Sequence, residues 1–212
     1  MSLLLTFFAS LMLGMRHATD SDHIVAVTAI ASRERSVAKA SWLGAVWGFG
    51  HTLTLFLVGG AIIAFKIAFT PRVGLSMELA VAVMLIALGL LNLFEIRPSS
   101  VSVTSTRPFL VGVVHGLAGS AAAVLLVVPL IPDPRWAALY LVVFGLGTVV
   151  GMTVITLSIA APSFLLASRM SGMQRSLRLA SGAVSLVFGL YLVHKIGFGD
   201  GLFTENPTWV PR

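Results

Sequence analysis

The chain has 212 residues, of which 57% are hydrophobic and 10% are charged, and its formal net charge is +6. A soluble domain has about 25% charged residues, so this composition excludes a soluble globular protein and indicates a helical membrane protein. The absence of cysteine from the sequence excludes disulfides, iron–sulfur clusters and thiolate metal sites. The lysines and arginines lie mostly in short loops between apolar segments, which argues against a nucleic-acid partner.

Six apolar segments follow one another along the chain and predict an all-α, polytopic membrane protein. Their approximate limits are 3–32, 41–65, 77–96, 109–131, 136–161 and 179–197. We predict a single transmembrane domain over residues 1–197 and a polar, irregular C-terminal tail over residues 198–212. The loops on one side of the membrane carry more lysine and arginine than those on the other. Because the more basic side is the cytoplasmic one, both termini are predicted to lie outside.

The first segment contains the sequence RHATDSDHI, residues 16–24, between two strongly apolar runs. As one helix, residues 3–31 would be about 43 Å long, whereas the hydrocarbon core is about 30 Å thick. Asp20, Ser21 and Asp22 are typical helix N-cap residues, so we predict that the helix breaks at this motif and restarts as a short half-helix. Such a break leaves backbone N–H groups directed at a cavity inside the membrane.

The ionisable residues of this motif predict a metal site. Each ionised side chain at this depth costs about 2.5–3.5 kcal/mol, so five ionisable groups together require a reason. A backbone turn between His17 and His23 allows two imidazoles to converge with the carboxylates of Asp20 and Asp22. Nitrogen and oxygen ligands of this kind suit Ni²⁺, Co²⁺, Zn²⁺ or Mn²⁺ and do not suit Cu⁺. The alternative interpretation is a buried ionic network in which Arg16 pairs with one of the two aspartates.

Two further histidines lie near the middle of later segments. His51, in the sequence GFGHT of the second segment, is a candidate metal ligand at the same depth as the motif. His115 lies in GVVHGLAGS of the fourth segment, where the glycines also suit close helix packing. Arg16, Thr52, His115 and Ser120 are candidates for the transport pathway or for a supporting role around the metal.

The two halves of the chain resemble each other. GMRH at 14–17 matches GVVH at 112–115, WGFGHTLTL at 47–55 matches FGLGTVVGM, and MLIALGLLNLFEI matches SLVFGLYLVHKI. The offsets are all close to 100 residues, which predicts one repeat over about residues 1–97 and another over about 108–197. Because each repeat contains three spans, the second copy is inverted in the membrane. Inverted repeats with a broken helix and a midplane site are typical of secondary transporters.

The residues HATDSDH, 17–23, match the H-x₄-D-H signature of the nickel/cobalt transporter family, and GFGHT resembles that family's histidine motif in the next helix. The stretch HGLAGSAA is similar to short bacterial relatives that are grouped with urease-accessory and nickel-transport membrane proteins. Typical members of the family have additional helices, and they carry acidic motifs in their later helices. This chain departs from them, because FGLGTVVGM contains no carboxylate.

The resemblance implies a nickel or cobalt permease in the cytoplasmic (inner) membrane of a bacterium, with no enzymatic activity and no catalytic cofactor. Its partners would be the transported Ni²⁺ or Co²⁺ ion and the lipid bilayer. His17, Asp22 and His23 would be the signature metal residues, with Asp20 and His51 contributing. Related efflux proteins usually carry a histidine-rich loop, and this chain has none, which favours uptake over efflux.

Three other functions remain open from the sequence. A transporter of another solute, such as sulfite, another anion or an amino acid, could use Arg16 to hold a negative charge. An intramembrane metalloenzyme generally needs more clustered histidines than the five in this chain, and the sequence contains no HExxH. A membrane accessory subunit would bind the metal without moving it.

Histidine ligation predicts a pH dependence of transport. Imidazole binds a metal ion when it is neutral, and a free histidine side chain has a pKa of about 6.5. We therefore expect the uptake of radioactive nickel to fail as the pH is lowered from about 7.5 to about 5.5, since protonated rings cannot bind the ion. A constant uptake rate over this range contradicts histidine ligation.

Overall fold

The computed structural model describes residues 3–32, 34, 36–65, 70–95, 106–117, 131–169 and 172–209. Within these ranges the chain forms seven α-helices and one π-helical turn, with no strand. The elements are α1 (Leu3–His17), α2 (Ser21–Ala31), α3 (Val37–Phe65), α4 (Pro71–Leu93), α5 (Thr106–Gly116), α6 (Pro134–Arg169) and α7 (Met173–His194), followed by the π-helical turn Lys195–Gly199. The all-α class predicted from composition is therefore what the described residues show.

Four of these helices are long and apolar enough to cross a membrane. The apolar stretches are Val37–Ile62 of α3, Pro71–Leu93 of α4, Pro134–Leu165 of α6 and Met173–Gly199, which joins α7 to the π-helical turn. Large apolar side chains on their outer faces remain exposed, among them Phe49, Leu57, Leu146 and Val187. A soluble protein would bury so many large apolar groups, whereas a protein in a bilayer presents them to lipid. The fold is that of a multi-pass helical membrane protein.

The first apolar segment is two helices, with the break at the motif. α1 ends at His17, residues 18–20 form a turn, and α2 begins at Ser21. The amides of Thr19 and Asp20 donate hydrogen bonds of 2.8 and 3.1 Å to the carbonyl oxygens of Arg16 and His17, so the turn satisfies part of its own backbone. Asp20 occupies the N-cap position of α2, but its carboxylate makes no capping hydrogen bond. The predicted break is present, and one of the three predicted N-cap residues occupies the N-cap position, although its carboxylate contacts His17 instead of capping the helix.

The limits of the fifth and sixth segments imply a loop over residues 162–178, and this expectation is wrong. α6 continues through Pro162 to Arg169, and α7 begins at Met173. Proline is tolerated inside transmembrane helices where neighbouring groups satisfy the freed backbone. The hydroxyl of Ser163 donates a 2.7 Å hydrogen bond to a carbonyl of the preceding turn.

The predicted count of six spans depends on two short helices. α1 and α2 together correspond to the first predicted span, and α5 covers only the beginning of the fourth. The rest of that fourth segment, residues 118–130, lies outside the described residues. The described helices agree with the other four segments in number and order, with limits that differ by several residues.

Glycines let the helices approach closely, and these contacts fall at matching positions in the two halves. A β-carbon on Gly14 of α1 would overlap the carbonyl oxygen of Phe144 in α6. A β-carbon on Gly112 of α5 would overlap the carbonyl oxygen of Trp47 in α3. Gly14 matches Gly112 in the predicted repeat, and Trp47 matches Phe144. The packing of α1 on α6 therefore has a counterpart in the packing of α5 on α3.

The interface between α4 and α7 is also formed by glycines that pack against the backbone of the neighbouring helix. Gly89 of α4 lies against the backbone of Leu186, and Gly189 of α7 lies against the backbone of Ile86. The hydroxyl of Ser185 donates a 2.7 Å hydrogen bond to the carbonyl oxygen of Leu85. Residues about 100 positions apart thus face each other across this interface.

A buried polar network fixes the far end of the half-helix α2. The side-chain amide of Asn92 in α4 donates hydrogen bonds to the carbonyl oxygen of Ala29, at 2.7 Å, and to the hydroxyl of Ser181 in α7, at 3.3 Å. Ser181 also donates a 2.9 Å hydrogen bond to the hydroxyl of Ser32. The half-helix is therefore held at its C-terminal end by α4 and α7, and its N-terminal end lies at the turn of residues 18–20.

The close contacts predict that Gly14→Ala and Gly112→Ala each destabilise the protein. Each added methyl group would overlap a backbone carbonyl of the neighbouring helix, and overpacking of this kind costs about 1–3 kcal/mol. Gly60→Ala is the matched control, because no atom lies within 4 Å of a β-carbon at that position in α3. Thermal unfolding in detergent should show a lower Tm for the first two variants alone. Equal Tm values for all three would contradict the close approach.

Candidate metal centre

Four of the five histidines meet in the interior of the helix assembly. His17 ends α1, His23 lies in the first turn of α2, His51 lies in the middle of α3, and His115 lies near the end of α5. The exposed fraction is 7% for His17 and 0% for the other three. The ring centroid of His23 lies 4.6 Å from that of His17, 5.2 Å from that of His51 and 4.1 Å from that of His115. His23 is therefore the centre of the cluster.

The rings of His17, His23 and His51 form one group that could hold a metal ion, which we call the first triad. Each ring offers a nitrogen, and the three nitrogens lie within 4.8 Å of one another. The Nε2 atoms of His17 and His51 are 3.2 Å apart. Two nitrogens that bind one metal ion at about 2.1 Å lie about 3.0–3.4 Å from each other. The spacing of this pair, which is that of a hydrogen bond between the two rings, also suits two ligands of a single ion.

Asp20 lies behind the first triad and orients one of its rings. Its Oδ2 atom is 2.8 Å from Nδ1 of His17, while Nε2 of the same ring faces His51. A carboxylate can only accept a hydrogen bond, so neutral His17 carries its hydrogen on Nδ1 and its lone pair on Nε2. A carboxylate that holds the second nitrogen of a metal-binding histidine is a common supporting group.

The second group of possible ligands is Asp22, His23 and His115, which we call the second triad. The Oδ1 atom of Asp22 lies 3.2 Å from Nδ1 of His23 and also accepts the backbone N–H of His23 at 3.0 Å. The Oδ2 atom of Asp22 lies 3.0 Å from Nε2 of His115. One carboxylate thus joins an imidazole of α2 to an imidazole of α5.

Several imidazole nitrogens are buried without a hydrogen-bond partner among the residues that the structure describes. They are Nε2 of His23, Nδ1 of His51 and Nδ1 of His115. Leaving a buried polar atom unsatisfied costs about 1–3 kcal/mol, so each such atom requires an explanation. A cation bound by the lone pair of His23 Nε2 would supply a partner for that nitrogen, whereas Nδ1 of His51 and Nδ1 of His115 face away from the nitrogens that would bind the ion.

Aromatic side chains enclose the cluster. The ring of Trp47 lies 5.6 Å from the rings of His23 and His115, and the ring of Phe144 lies 5.7 Å from that of His17. Both side chains are buried. These apolar walls exclude water and lower the local dielectric, which strengthens any electrostatic interaction inside the cluster. The carboxylates are the accessible part, with 41% of the Asp20 side chain and 20% of the Asp22 side chain exposed.

The other sequence candidates either make contacts of another kind or lie outside the described residues. Arg16 is exposed, and in the described part of the chain both aspartates pair with histidines and not with this arginine. Thr52 donates a 3.2 Å hydrogen bond to the carbonyl oxygen of Gly145, which joins α3 to α6. Ser120 lies outside the described residues. The alternative of an Arg16–aspartate network therefore does not match the observed contacts.

His115 lies closer to the centre of the cluster than the sequence suggested. The sequence predicts only a supporting role for His115, because no acidic residue accompanies it in its own segment. The structure brings its acid from another helix, since Asp22 of α2 lies 93 residues away in the chain. The one available signal was the match between His115 and His17 in the repeat.

The chain is similar to a protein that is a urease accessory protein by name. It is 30% identical over 209 residues to the urease accessory protein UreH of Bacillus sp. (strain TB-90), and the alignment covers 90% of this chain and 91% of that protein. The chain belongs to the UreH family. This membership supports the resemblance to nickel/cobalt transporters that the motif in residues 17–23 predicts.

A plant protein is also similar to this UreH-family chain. The chloroplast protein FOR GROWTH AND FERTILITY 1 of Arabidopsis thaliana is 26% identical to it over 212 residues, which cover 86% of this chain and 56% of the plant protein. No family model and no solved structure matches the chain.

The chemistry of the donor set suits a divalent transition metal. The UreH-family chain gathers four imidazoles and two carboxylates around the break, and it has no cysteine. Imidazole-rich sites favour Ni²⁺, Co²⁺ and Zn²⁺, whereas Mg²⁺ and Ca²⁺ prefer oxygen ligands.

Proposed function

We propose that this UreH-family protein is a permease that carries Ni²⁺ or Co²⁺ across a membrane, with the ion bound at the histidine cluster. The observation that carries the proposal is the convergence of buried imidazoles at the break in the first span. His17, His23 and His51 would be ligands, with Asp20 holding His17 and Asp22 holding His23. The exposed edges of the two carboxylates give a hydrated cation its first contact with the protein.

Two observations favour nickel as the transported ion. The chain belongs to the UreH family, and UreH is a urease accessory protein by name. That name, together with the imidazole-rich donor set, supports nickel as the cargo. Cobalt is its neighbour in the order of metal affinities and prefers similar ligands, so the same site would accept both ions.

The architecture that we propose is six spans arranged as two inverted repeats over residues 1–197. The matched glycine contacts of α1 with α6 and of α5 with α3 support it. The ion would lie near the membrane midplane between the repeats, and rocking of one repeat against the other would expose it to each side in turn. We place the protein in the bacterial cytoplasmic membrane, with both termini outside and with uptake as the direction.

The name of the relative favours one alternative, a membrane accessory protein that binds the metal without moving it. Liposomes that contain only the purified chain distinguish the two. A permease accumulates radioactive nickel inside such vesicles, and a binding protein does not. Inhibition of nickel uptake by sulfite or by amino acids, with no nickel binding in a calorimetric titration, would instead identify a transporter of another solute.

The ligand assignment predicts that His17→Ala and His23→Ala abolish nickel uptake. Each substitution removes one imidazole from the first triad, so uptake into liposomes should fall by at least about tenfold. His194→Ala is the control, because His194 is exposed at the end of α7 and its ring contacts Phe198. Uptake that is unchanged in the first two variants would refute the proposed function.

The position of Asp20 predicts a graded effect on nickel affinity. Asp20→Ala removes the group that holds Nδ1 of His17, and loss of such a supporting group weakens metal binding about 10–100-fold. Asp20→Asn should weaken binding less, since an amide oxygen still accepts the ring hydrogen. Calorimetric titration with nickel measures both, with Asp133→Asn at the exposed start of α6 as the control. Identical affinities for Asp20→Ala and the unaltered protein would show that Asp20 does not support the site.

A further inference from the structure

We infer that the cluster contains two alternative ion positions that share His23, and that the ion moves between them by exchanging ligands. The first position is the first triad of His17, His23 and His51, and the second is the second triad of Asp22, His23 and His115. This inference rests on the proposed function, because it describes how the transported ion would pass through the same centre.

The two positions lie at different nitrogens of one ring. Nδ1 of His23 faces the carboxylate of Asp22, at 3.2 Å, which belongs to the second triad. Nε2 of His23 is buried and has no hydrogen-bond partner within the described ranges. It is the nitrogen left to serve the first triad. The outer rings are farther apart, since the centroids of His51 and His115 are separated by 6.2 Å.

Only one position can be filled at a time. A neutral imidazole has one lone pair and one N–H, so His23 can bind an ion through one nitrogen only. With the ion at the first position, His23 donates its Nδ1–H to Asp22. With the ion at the second position, Asp22 becomes a ligand, and the rings of His23 and His115 each carry their single hydrogen on the other nitrogen. In the described part of the chain nothing holds those other nitrogens, so this arrangement is open to both rings.

The second position brings in the second half of the chain. The first triad draws on α1, α2 and α3, whereas His115 belongs to α5. His17 and His115 match in the repeat, and each lies at the end of a helix. The counterpart of His51 in the second half is Thr148, whose hydroxyl donates a 3.0 Å hydrogen bond to the carbonyl oxygen of Phe144. Asp22 therefore replaces the histidine that the second half lacks.

The test compares His115→Ala with His51→Ala, each of which removes a ligand from one position only. Both purified variants should still bind one nickel ion in calorimetric titrations, while uptake into liposomes falls by at least about tenfold. X-ray absorption at the nickel edge should show a carboxylate ligand in His51→Ala and a more nitrogen-rich site in His115→Ala. The Tm of each variant shows whether a loss of uptake comes from misfolding. His115→Asn, which keeps a polar group beside Asp22, and the control His194→Ala are compared in the same way.

The results separate this inference from the proposed function. Normal uptake by His115→Ala, with uptake abolished in His17→Ala, would overturn the second position and leave the permease proposal standing. Two nickel ions bound per unaltered chain would overturn the alternation between positions. The absence of any nickel binding to the unaltered protein would overturn the proposed function and the inference with it.

Discussion

The break between α1 and α2 is the constraint on which the centre depends. A continuous helix would point His17 and His23 in directions about 120° apart, whereas the turn lets two helix ends bring both rings to one place. The C-terminal end of α1 carries a partial negative charge, which favours a cation beside His17. The N-terminal end of α2 carries a partial positive charge, which stabilises the Asp22 carboxylate in its first turn. The broken span therefore supplies candidate ligands together with a negative helix end beside His17 and a positive helix end that stabilises Asp22.

The remaining ligands arrive through helix packing. Gly112 of α5 lies against the carbonyl of Trp47, and Gly116 lies against the carbonyl of His51. Side chains at these two positions would separate α5 from α3 at the level of the cluster. Because glycine removes that obstacle, α5 approaches the turn of α3 that carries His51, and His115 reaches the cluster. The small residues that suggest packing in the sequence are thus also what positions a candidate ligand.

The sequence predicts the parts of the centre whose cause is local. Ionisable residues and capping residues within an apolar segment predict the break, and the depth of His51 predicts that it joins the motif. The place of His115 depends on an acid in a different helix, so spacing within α5 cannot reveal it. Spacing also cannot tell which carboxylate faces which ring nitrogen, and the contacts assign Asp20 to His17 and Asp22 to His23 and His115. The extension of α6 beyond Pro162 was missed because proline is a weaker helix breaker in a membrane than in water.

Charge balance gives a separate reason to expect one ion at a time. The four imidazoles bind a metal ion in their neutral form, so the negative charge at the centre comes from Asp20 and Asp22. Two carboxylates compensate one divalent cation, and the exposed Arg16 makes no ion pair with either of them in the described part of the chain. A second ion would leave two positive charges without compensation beside the buried rings of Trp47 and Phe144, where the low dielectric makes charge expensive. Electrostatics and the single lone pair of His23 are therefore two independent arguments for the proposal that ions pass through the centre singly.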